Sequence, residues 1–213
     1  MARPAAIRAR YDAPDYPRMS LVLASKSASR QAMLTAAGVP FTALPADVDE
    51  RAIEAALADA APGEVALALA RAKALAVCAR VPGELVLGSD SLVECAGRRF
   101  DKPESRDAAA EHLRFFSGKV LNLHSAAVLA RDGEVMCGEA KVARLHAIDM
   151  SERFIEDYLD YEWPAVAACV GVFRIEGRGV QLFRAIEGDH FTVLGMPLLS
   201  VLAFLRELGV LRQ

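Results

Sequence analysis

The chain has 213 residues, of which 54% are apolar and 25% are charged, and its formal net charge is −3. The apolar fraction is high enough for a hydrophobic core, which argues against an intrinsically disordered chain. A nearly balanced charge argues against binding to a nucleic-acid polymer but is compatible with a small phosphate ligand. No apolar run approaches the roughly 20 residues of a membrane helix. The four cysteines are scattered, which favours reduced thiols over disulfides or a zinc site.

Residues 1–18 contain three prolines and no periodic apolar positions. This composition predicts a flexible N-terminal arm, with Met19 as a candidate start immediately before the first apolar run. No stretch after Met19 has the composition of a linker. We therefore expect residues 19–213 to form a single domain.

The first half of this domain alternates strands with helices. The predicted strands are short apolar runs of the buried type at residues 21–24, 41–44 and 85–88. The predicted helices carry terminal signals, namely Gly38 after the first, Pro62 at the start of the second and Ser105 at the start of the third. These helices are placed at residues 30–37, 62–80 and 105–116.

The second half of the predicted domain also contains hairpins. Two long strands are joined by Asp132-Gly133, which is a strong two-residue turn signal. A helix capped by Ser151, two more strands and a closing helix follow. The strands are placed at 121–131, 134–147, 170–175 and 180–186, and the helices at 151–161 and 197–208. Because hairpins accompany the strand–helix alternation, we predict an α/β fold with a mixed sheet.

The segment Ser25–Arg30 connects the first strand to the first helix. Its small hydroxyl residues leave backbone N–H groups free, and the helix N-terminus adds a positive dipole, so the segment can bind an anion. Arg30 can add a bidentate clamp on a phosphate. An ordinary serine N-cap explains the same residues equally well.

Asp90 lies in Gly88-Ser89-Asp90-Ser91, where the third strand is expected to end. A carboxylate at the carboxyl end of a buried strand is well placed for catalysis or metal binding. The alternative is a turn aspartate that bonds to its own backbone.

Further charged residues have two interpretations each. Asp47, Asp49 and Glu50 form an acidic loop that either holds a hard cation such as Mg²⁺ or faces solvent. Lys73, in an apolar helix, and Lys102, before a proline, either extend to solvent or offset the charge of a polyphosphate.

The combination of these motifs is more specific than any one of them. In chain order, the motifs are Ala24–Arg30, Asp47–Glu50, Ala72-Lys73-Ala74, Gly88-Ser89-Asp90, Lys102-Pro103, Gly188-Asp189 and Gly195-Met196-Pro197-Leu198. This order resembles that of the Maf-like family of nucleoside triphosphate pyrophosphatases, and the resemblance extends from Ser20 to the end.

This resemblance implies an elongated mixed sheet flanked by helices, with two lobes around a nucleotide cleft. It implies hydrolysis of a nucleoside triphosphate to the monophosphate and pyrophosphate with a divalent cation, Mg²⁺ or Mn²⁺. Family members are typically cytoplasmic and often dimeric, so we expect a cytoplasmic protein and leave a homodimer open. We expect a nucleotide substrate, with no nucleic-acid polymer and no membrane as partner.

The resemblance also implies roles for individual residues. Asp90 is the expected catalytic acid–base residue, and Glu50 and Asp90 are the expected metal ligands. The expected phosphate-binding residues are Ser25, Ser27, Arg30, Lys73 and Lys102.

Three positions that set base specificity in the family depart from its usual pattern. Ser29, after Ala28, replaces an arginine or aromatic residue, and Ser91 replaces threonine or glutamine. Glu176 replaces the glutamine of members that prefer pyrimidines and resembles the subgroup that acts on 7-methylguanosine triphosphate. The preferred base therefore stays open.

Two other functions are compatible with the same residues. One is a phosphomonoesterase that releases inorganic phosphate, and the other is a nucleotide-binding regulator of cell division without turnover. The presence of Asp90 together with Lys73 and Lys102 favours turnover, because binding alone does not need a base.

Overall fold

The computed structural model describes residues 21–212, which form a seven-stranded mixed sheet with helices on both faces. The predictions for residues 1–18 and for a start at Met19 lie outside these residues. The strands are β1 (Leu21–Leu23), β2 (Phe41–Ala43), β3 (Leu85–Cys95), β4 (Arg98–Phe100), β5 (Val120–Arg131), β6 (Glu134–Ala147) and β7 (Phe183–Glu187). The helices are α1 (Ala28–Ala36), α2 (Glu50–Ala56), α3 (Pro62–Cys78), α4 (Arg106–Phe116), α5 (Glu152–Glu162), α6 (His190–Val193) and α7 (Leu198–Glu207), with 3₁₀ helices at Ala165–Ala168 and Arg178–Leu182. Among these helices, none combines the length and the apolar character that a membrane span requires.

The strands are ordered β2-β1-β3-β5-β6-β7, and β4 pairs with the far part of β3. Strands β2, β1 and β3 are parallel, whereas the other pairs are antiparallel. The β5–β6 hairpin turns at Asp132 and Gly133, which have φ angles of 49° and 83°. These positive angles are those of the predicted hairpin turn. The predicted α/β class with a mixed sheet is confirmed.

Strand β3 is longer than predicted, since it continues through Asp90 to Cys95. The prediction that the strand ends at Ser89-Asp90-Ser91 is wrong, and so is the alternative of a turn aspartate, because β5 pairs with this whole polar segment and supplies its backbone partners. On its other edge, β3 pairs with β1 up to Leu87 and with β4 from Val93. The part of β3 around Asp90 therefore lies beside a gap in the sheet, where β1 has ended.

The two faces of the sheet pack against different helices. Leu87 lies in a core with α1 and α7, and Val86 lies in a core with α3. Because side chains alternate along a strand, Asp90 lies on the α3 face and Ser91 on the opposite face. A third core beneath α4 and α5 covers the far halves of β3, β5 and β6. These separate cores give the molecule two lobes.

The segment between α5 and β7 departs from the predicted strand at 170–175. Val172 and Phe173 are consecutive and both buried, at 0% and 7% exposure, so the segment lacks the alternation of a strand. The hydroxyl of Tyr158 donates to the Val172 carbonyl at 2.9 Å. The segment packs against α5, and the strand expected at 180–186 begins only at Phe183.

Two short α-helices, α2 and α6, were not predicted, and α2 begins within the predicted acidic loop. Glu50 is the first residue of α2, and Asp49 caps this helix by accepting the N–H of Ala52 at 3.0 Å. The helix places Glu50 close to α3 and leaves Asp47 exposed. The other short helix, α6, is capped by Asp189.

Candidate active site

Arg30 is the centre of a hydrogen-bonded cluster at the gap beside β1. Its Nη1 donates to Ser25 Oγ at 3.3 Å, its Nη2 donates to Ser91 Oγ at 2.9 Å, and its Nε donates to the Gly195 carbonyl at 3.0 Å. Ser27 caps α1, with its Oγ accepting the N–H of Arg30 at 3.4 Å. The serine N-cap is therefore present, and the adjacent Arg30 donates hydrogen bonds to three different groups.

Lys73, Asp90 and Glu50 form a second cluster on the α3 face. The Nζ of Lys73 lies 2.5 Å from Asp90 Oδ1 and 3.0 Å from Glu50 Oε1. The side chains of Lys73 and Asp90 are only 12% and 9% exposed, whereas that of Glu50 is 50% exposed. The ammonium group thus satisfies a buried carboxylate that would otherwise be costly to ionise.

The carboxylates of the second cluster interact electrostatically with Arg30 of the first. Burial lowers the pKa of Arg30 from its ordinary value, and the nearby carboxylates of Asp90 and Glu50 oppose this effect. An arginine stays protonated at neutral pH even so. The gap therefore contains two cations and two carboxylates, with Glu50 at its solvent side.

Gly88 explains how Lys73 reaches Asp90. A Cβ atom at position 88 would lie 2.0 Å from the Ala70 carbonyl oxygen and 2.7 Å from the Ala74 nitrogen. Only glycine permits this approach of α3 to β3. Asp90 is two residues further along the same face of the strand, so the close approach brings Lys73 against it.

Ser29 and Glu176 line one pocket of about 440 Å³. Its walls are mostly apolar and come from α1, α6 and α7, including Met33, Phe191 and Leu198. The Oγ of Ser29 donates to the Leu194 carbonyl at 2.8 Å. The third predicted base-specificity residue, Ser91, faces Arg30 and the Gly195 carbonyl instead.

Lys102 lies apart from both clusters. It is exposed after β4, and within residues 21–212 no hydrogen bond or ion pair joins it to Asp90. Its charge acts on the thiol of Cys169, whose pKa is raised mainly by burial and further by Glu176, with Arg174 and Lys102 opposing. Lys102 therefore lies near the segment that carries Glu176.

Gly195 is a site residue whose role was not predicted. Its carbonyl accepts from Arg30, from Ser91 Oγ at 2.9 Å and from Ser89 Oγ at 3.3 Å. Its φ of +101° favours glycine, and a Cβ there would lie 3.0 Å from Ser91 Oγ. A glycine shortly before Met196-Pro197 is the signal that could have indicated this turn.

Glu50 and Asp90 are the residues that could hold a metal ion. The described residues contain no group of three or more His, Cys, Asp or Glu side chains arranged around a metal position. The two carboxylates nevertheless already share one cationic group, the ammonium of Lys73. A magnesium ion commonly uses one or two carboxylates and takes its other ligands from phosphates and water, so the residues fit such an ion.

The fold and the site define an α/β protein with a cationic cleft and a buried carboxylate at a gap in its sheet. Residues 20–208 match the family described as Maf-like protein. The chain belongs to this family, as its motifs predicted.

Named relatives cover most of the chain. A nucleoside triphosphate pyrophosphatase of Nitrobacter hamburgensis is 47% identical over 191 residues, which is 90% of this chain and 95% of the relative. A relative of Rhodopseudomonas palustris with the same name is 46% identical over 191 residues, again 90% and 95% of the two chains. A 7-methyl-GTP pyrophosphatase of Mesorhizobium japonicum is 46% identical over 193 residues, covering 90% and 97%.

Proposed function

We propose that this protein is an enzyme that hydrolyses nucleoside triphosphates to the monophosphate and pyrophosphate. The observation that carries the proposal is the buried Asp90 carboxylate, held by Lys73 at 2.5 Å beside a guanidinium cluster. The names of the relatives from Nitrobacter and Mesorhizobium support the same reaction. We propose that the substrates include modified or non-standard nucleoside triphosphates, and that their hydrolysis removes them from the nucleotide pool.

The cationic side chains bind the triphosphate. Arg30 is already oriented by Ser25, Ser91 and the Gly195 carbonyl, so it can meet phosphate oxygens without losing much side-chain freedom. The N-terminus of α1, beginning after Ser27, adds backbone N–H groups. We propose that Lys102, which is exposed after β4, adds a further positive charge for the triphosphate.

Asp90 accepts the proton of the attacking water. The water oxygen bonds to the α-phosphorus, and the bond between this phosphorus and the bridging oxygen breaks. Pyrophosphate leaves with the bonding electron pair, and a positioned base of this kind typically contributes about 10²–10⁴-fold. Lys73 holds the carboxylate in place and faces the developing negative charge.

We propose Mg²⁺ or Mn²⁺ as cofactor, and Glu50 and Asp90 are the residues that would hold this divalent cation. When bound, this ion supplies positive charge beside the phosphates and polarises them. Glu50 lies at the exposed edge of the pair, where α2 fixes its backbone and its carboxylate contacts Lys73 at 3.0 Å, so its outer side stays open to the ion.

The pocket that Ser29 and Glu176 share is the proposed site of the base. The carboxylate of Glu176 only accepts hydrogen bonds, and a guanine edge offers two adjacent donors, N1–H and the exocyclic amine. Uracil and thymine offer one N–H between two carbonyls. We therefore propose a preference for guanine-type triphosphates, and the name of the Mesorhizobium relative supports methylated ones.

We propose a cytoplasmic location, where nucleoside triphosphates are abundant. The described cysteines are all free thiols, as is usual in a reducing compartment. A homodimer, which is frequent in the family, is the proposed assembly. Sedimentation velocity at micromolar concentration tests it.

A panel of triphosphates with Mg²⁺ tests the function, with pyrophosphate and inorganic phosphate measured separately. We expect pyrophosphate as the primary product, a need for the divalent cation, and faster use of GTP and 7-methyl-GTP than of UTP and dTTP. Phosphate as the primary product would support a phosphomonoesterase. Binding of nucleotides without either product would support a regulator.

A further inference from the structure

Glu162 is a buried carboxylate at the end of α5, outside the cluster around Asp90. It is 4% exposed. Its Oε2 accepts from Arg174 Nε at 3.1 Å and from Arg174 Nη2 at 2.8 Å, and its Oε1 accepts the backbone N–H of Arg178 at 3.3 Å. All of these donors belong to one short loop, 174–178.

Glu176 lies in the middle of this loop, between the two anchored residues. Within residues 21–212 it makes no hydrogen bond or ion pair of its own, and its side chain is exposed to the pocket. The loop is tightly folded, since the Arg174 carbonyl accepts the Gly177 N–H at 3.1 Å and a Cβ on Gly179 would lie 2.5 Å from the same carbonyl oxygen. The position of Glu176 therefore depends on the loop and not on contacts of its own.

We infer that Glu162 and Arg174 are positioning residues that set base selectivity by holding Glu176 at the base pocket. This inference rests on the proposed function. The Glu162–Arg174 pair fixes the loop start, and the bond from Arg178 N–H to Glu162 fixes its end. The planar guanidinium of Arg174 directs two N–H donors, Nε and Nη2, at the same oxygen of Glu162, and the single ammonium group of a lysine does not reproduce this pair.

The test measures kcat/KM for GTP and UTP in the wild type, in Arg174→Lys and in Glu162→Gln. We expect the GTP to UTP ratio to fall by about tenfold or more, because small misplacements of a binding group have large effects. KM for GTP should rise while kcat stays close to the wild-type value. Introducing Glu176→Gln into Arg174→Lys should then change the ratio less than it does in the wild type.

Arg114→Lys is the matched control, because Arg114 also binds a carboxylate of α5, Glu152, but on the exposed surface. It should leave the ratio unchanged. If Glu162→Gln fails to fold, the test rests on Arg174→Lys. The side chain of Arg174 is 41% exposed, so this variant is expected to fold. An unchanged ratio in a folded Arg174→Lys, or a wild type without base preference, would overturn the inference. A wild type that releases no pyrophosphate from any triphosphate would overturn the proposed function instead.

Discussion

Asp90 is a charged residue in the middle of a buried strand, and its neighbours make this arrangement stable. The polar residues around it indicated that the strand ends there. The structure instead pairs it with Lys73, which also contacts Glu50. A buried charge with a good partner is tolerated, whereas removal of the partner leaves an uncompensated charge. The consequences of removing Asp90 and of removing Lys73 should therefore differ.

Asp90→Asn should remove turnover and leave the fold intact. The amide matches the carboxylate in size but cannot act as the base, so we expect the rate of pyrophosphate release to fall by about 100-fold or more. Lys73 keeps Glu50 as a partner, so the melting temperature should change little. Asp47→Asn, at an exposed carboxylate, is the control. A rate above about a tenth of the wild-type value would contradict the role of Asp90.

Lys73→Met should strengthen the binding of Mn²⁺ in the absence of nucleotide. The ammonium group lies against both carboxylates that we propose as metal ligands, so it competes with a divalent ion for them. We expect the affinity, measured by electron paramagnetic resonance of free Mn²⁺, to rise at least about threefold. Lys141→Met, at an exposed lysine beside Glu139, should have no effect. Unchanged or weaker binding in Lys73→Met would show that the carboxylates are not the metal ligands.

At the scale of elements, the site depends on how closely α3 approaches β3. Local signals were sufficient to predict α3, α4 and the β5–β6 hairpin, because caps, periodicity and turn residues act over a few positions. They were insufficient for β3 and the 170–175 segment. The length of β3 depends on its pairing with β5, and the segment around Val172 is shaped by its burial under α5. Both are contacts between residues distant in sequence.

The same distinction applies to the site. Residue type made Arg30, Lys73 and Asp90 candidates, because few other side chains bind phosphate or accept a proton, but the resemblance to the Maf-like family was needed to assign their roles. The Gly195 carbonyl that orients Arg30 is a backbone group 165 residues away, and the motif Gly195-Met196-Pro197-Leu198 did not indicate this hydrogen bond. The role of Glu162 could not be predicted either. Its partners lie in the 174–178 segment, which the sequence analysis predicted as the end of a strand and a turn.

Gly88→Ala should destabilise the fold and impair turnover together. The added methyl group would meet the backbone of α3 at Ala70 and Ala74, so the helix must shift away from Asp90. We expect a loss of about 1–3 kcal/mol in the free energy of unfolding, measured by urea denaturation. Gly63→Ala is the control, because its Cβ would have no neighbour closer than 3.6 Å. An equally stable and active Gly88→Ala would show that the close approach is not needed.

At the scale of the whole molecule, the two lobes meet along β3, β5 and β6. Along β3, the core beneath α4 and α5 begins at Val93, the core against α1 and α7 ends at Leu87, and the core against α3 includes residues on both sides of Asp90. The proposed base and phosphate sites therefore draw on both lobes. The contacts given above for the site all lie within residues 21–212.

A chain that begins at Met19 should accordingly fold and react like the full chain. Residues 1–18 have no periodic apolar face to bury, and we propose 19–213 as the domain. The melting temperature should be unchanged, and kcat/KM for GTP should stay within about twofold. A large decrease in either value would show that residues 1–18 contribute to the domain.

The position at which water attacks is the most direct test of the account. Hydrolysis of GTP in water enriched in ¹⁸O, followed by mass spectrometry of both products, locates the new oxygen. Because we place Asp90 and its water at the α-phosphorus, we expect one labelled oxygen in the monophosphate and none in the pyrophosphate, with Asp90→Asn producing neither product at an appreciable rate. Label in the pyrophosphate, or labelled inorganic phosphate as the main product, would contradict this account.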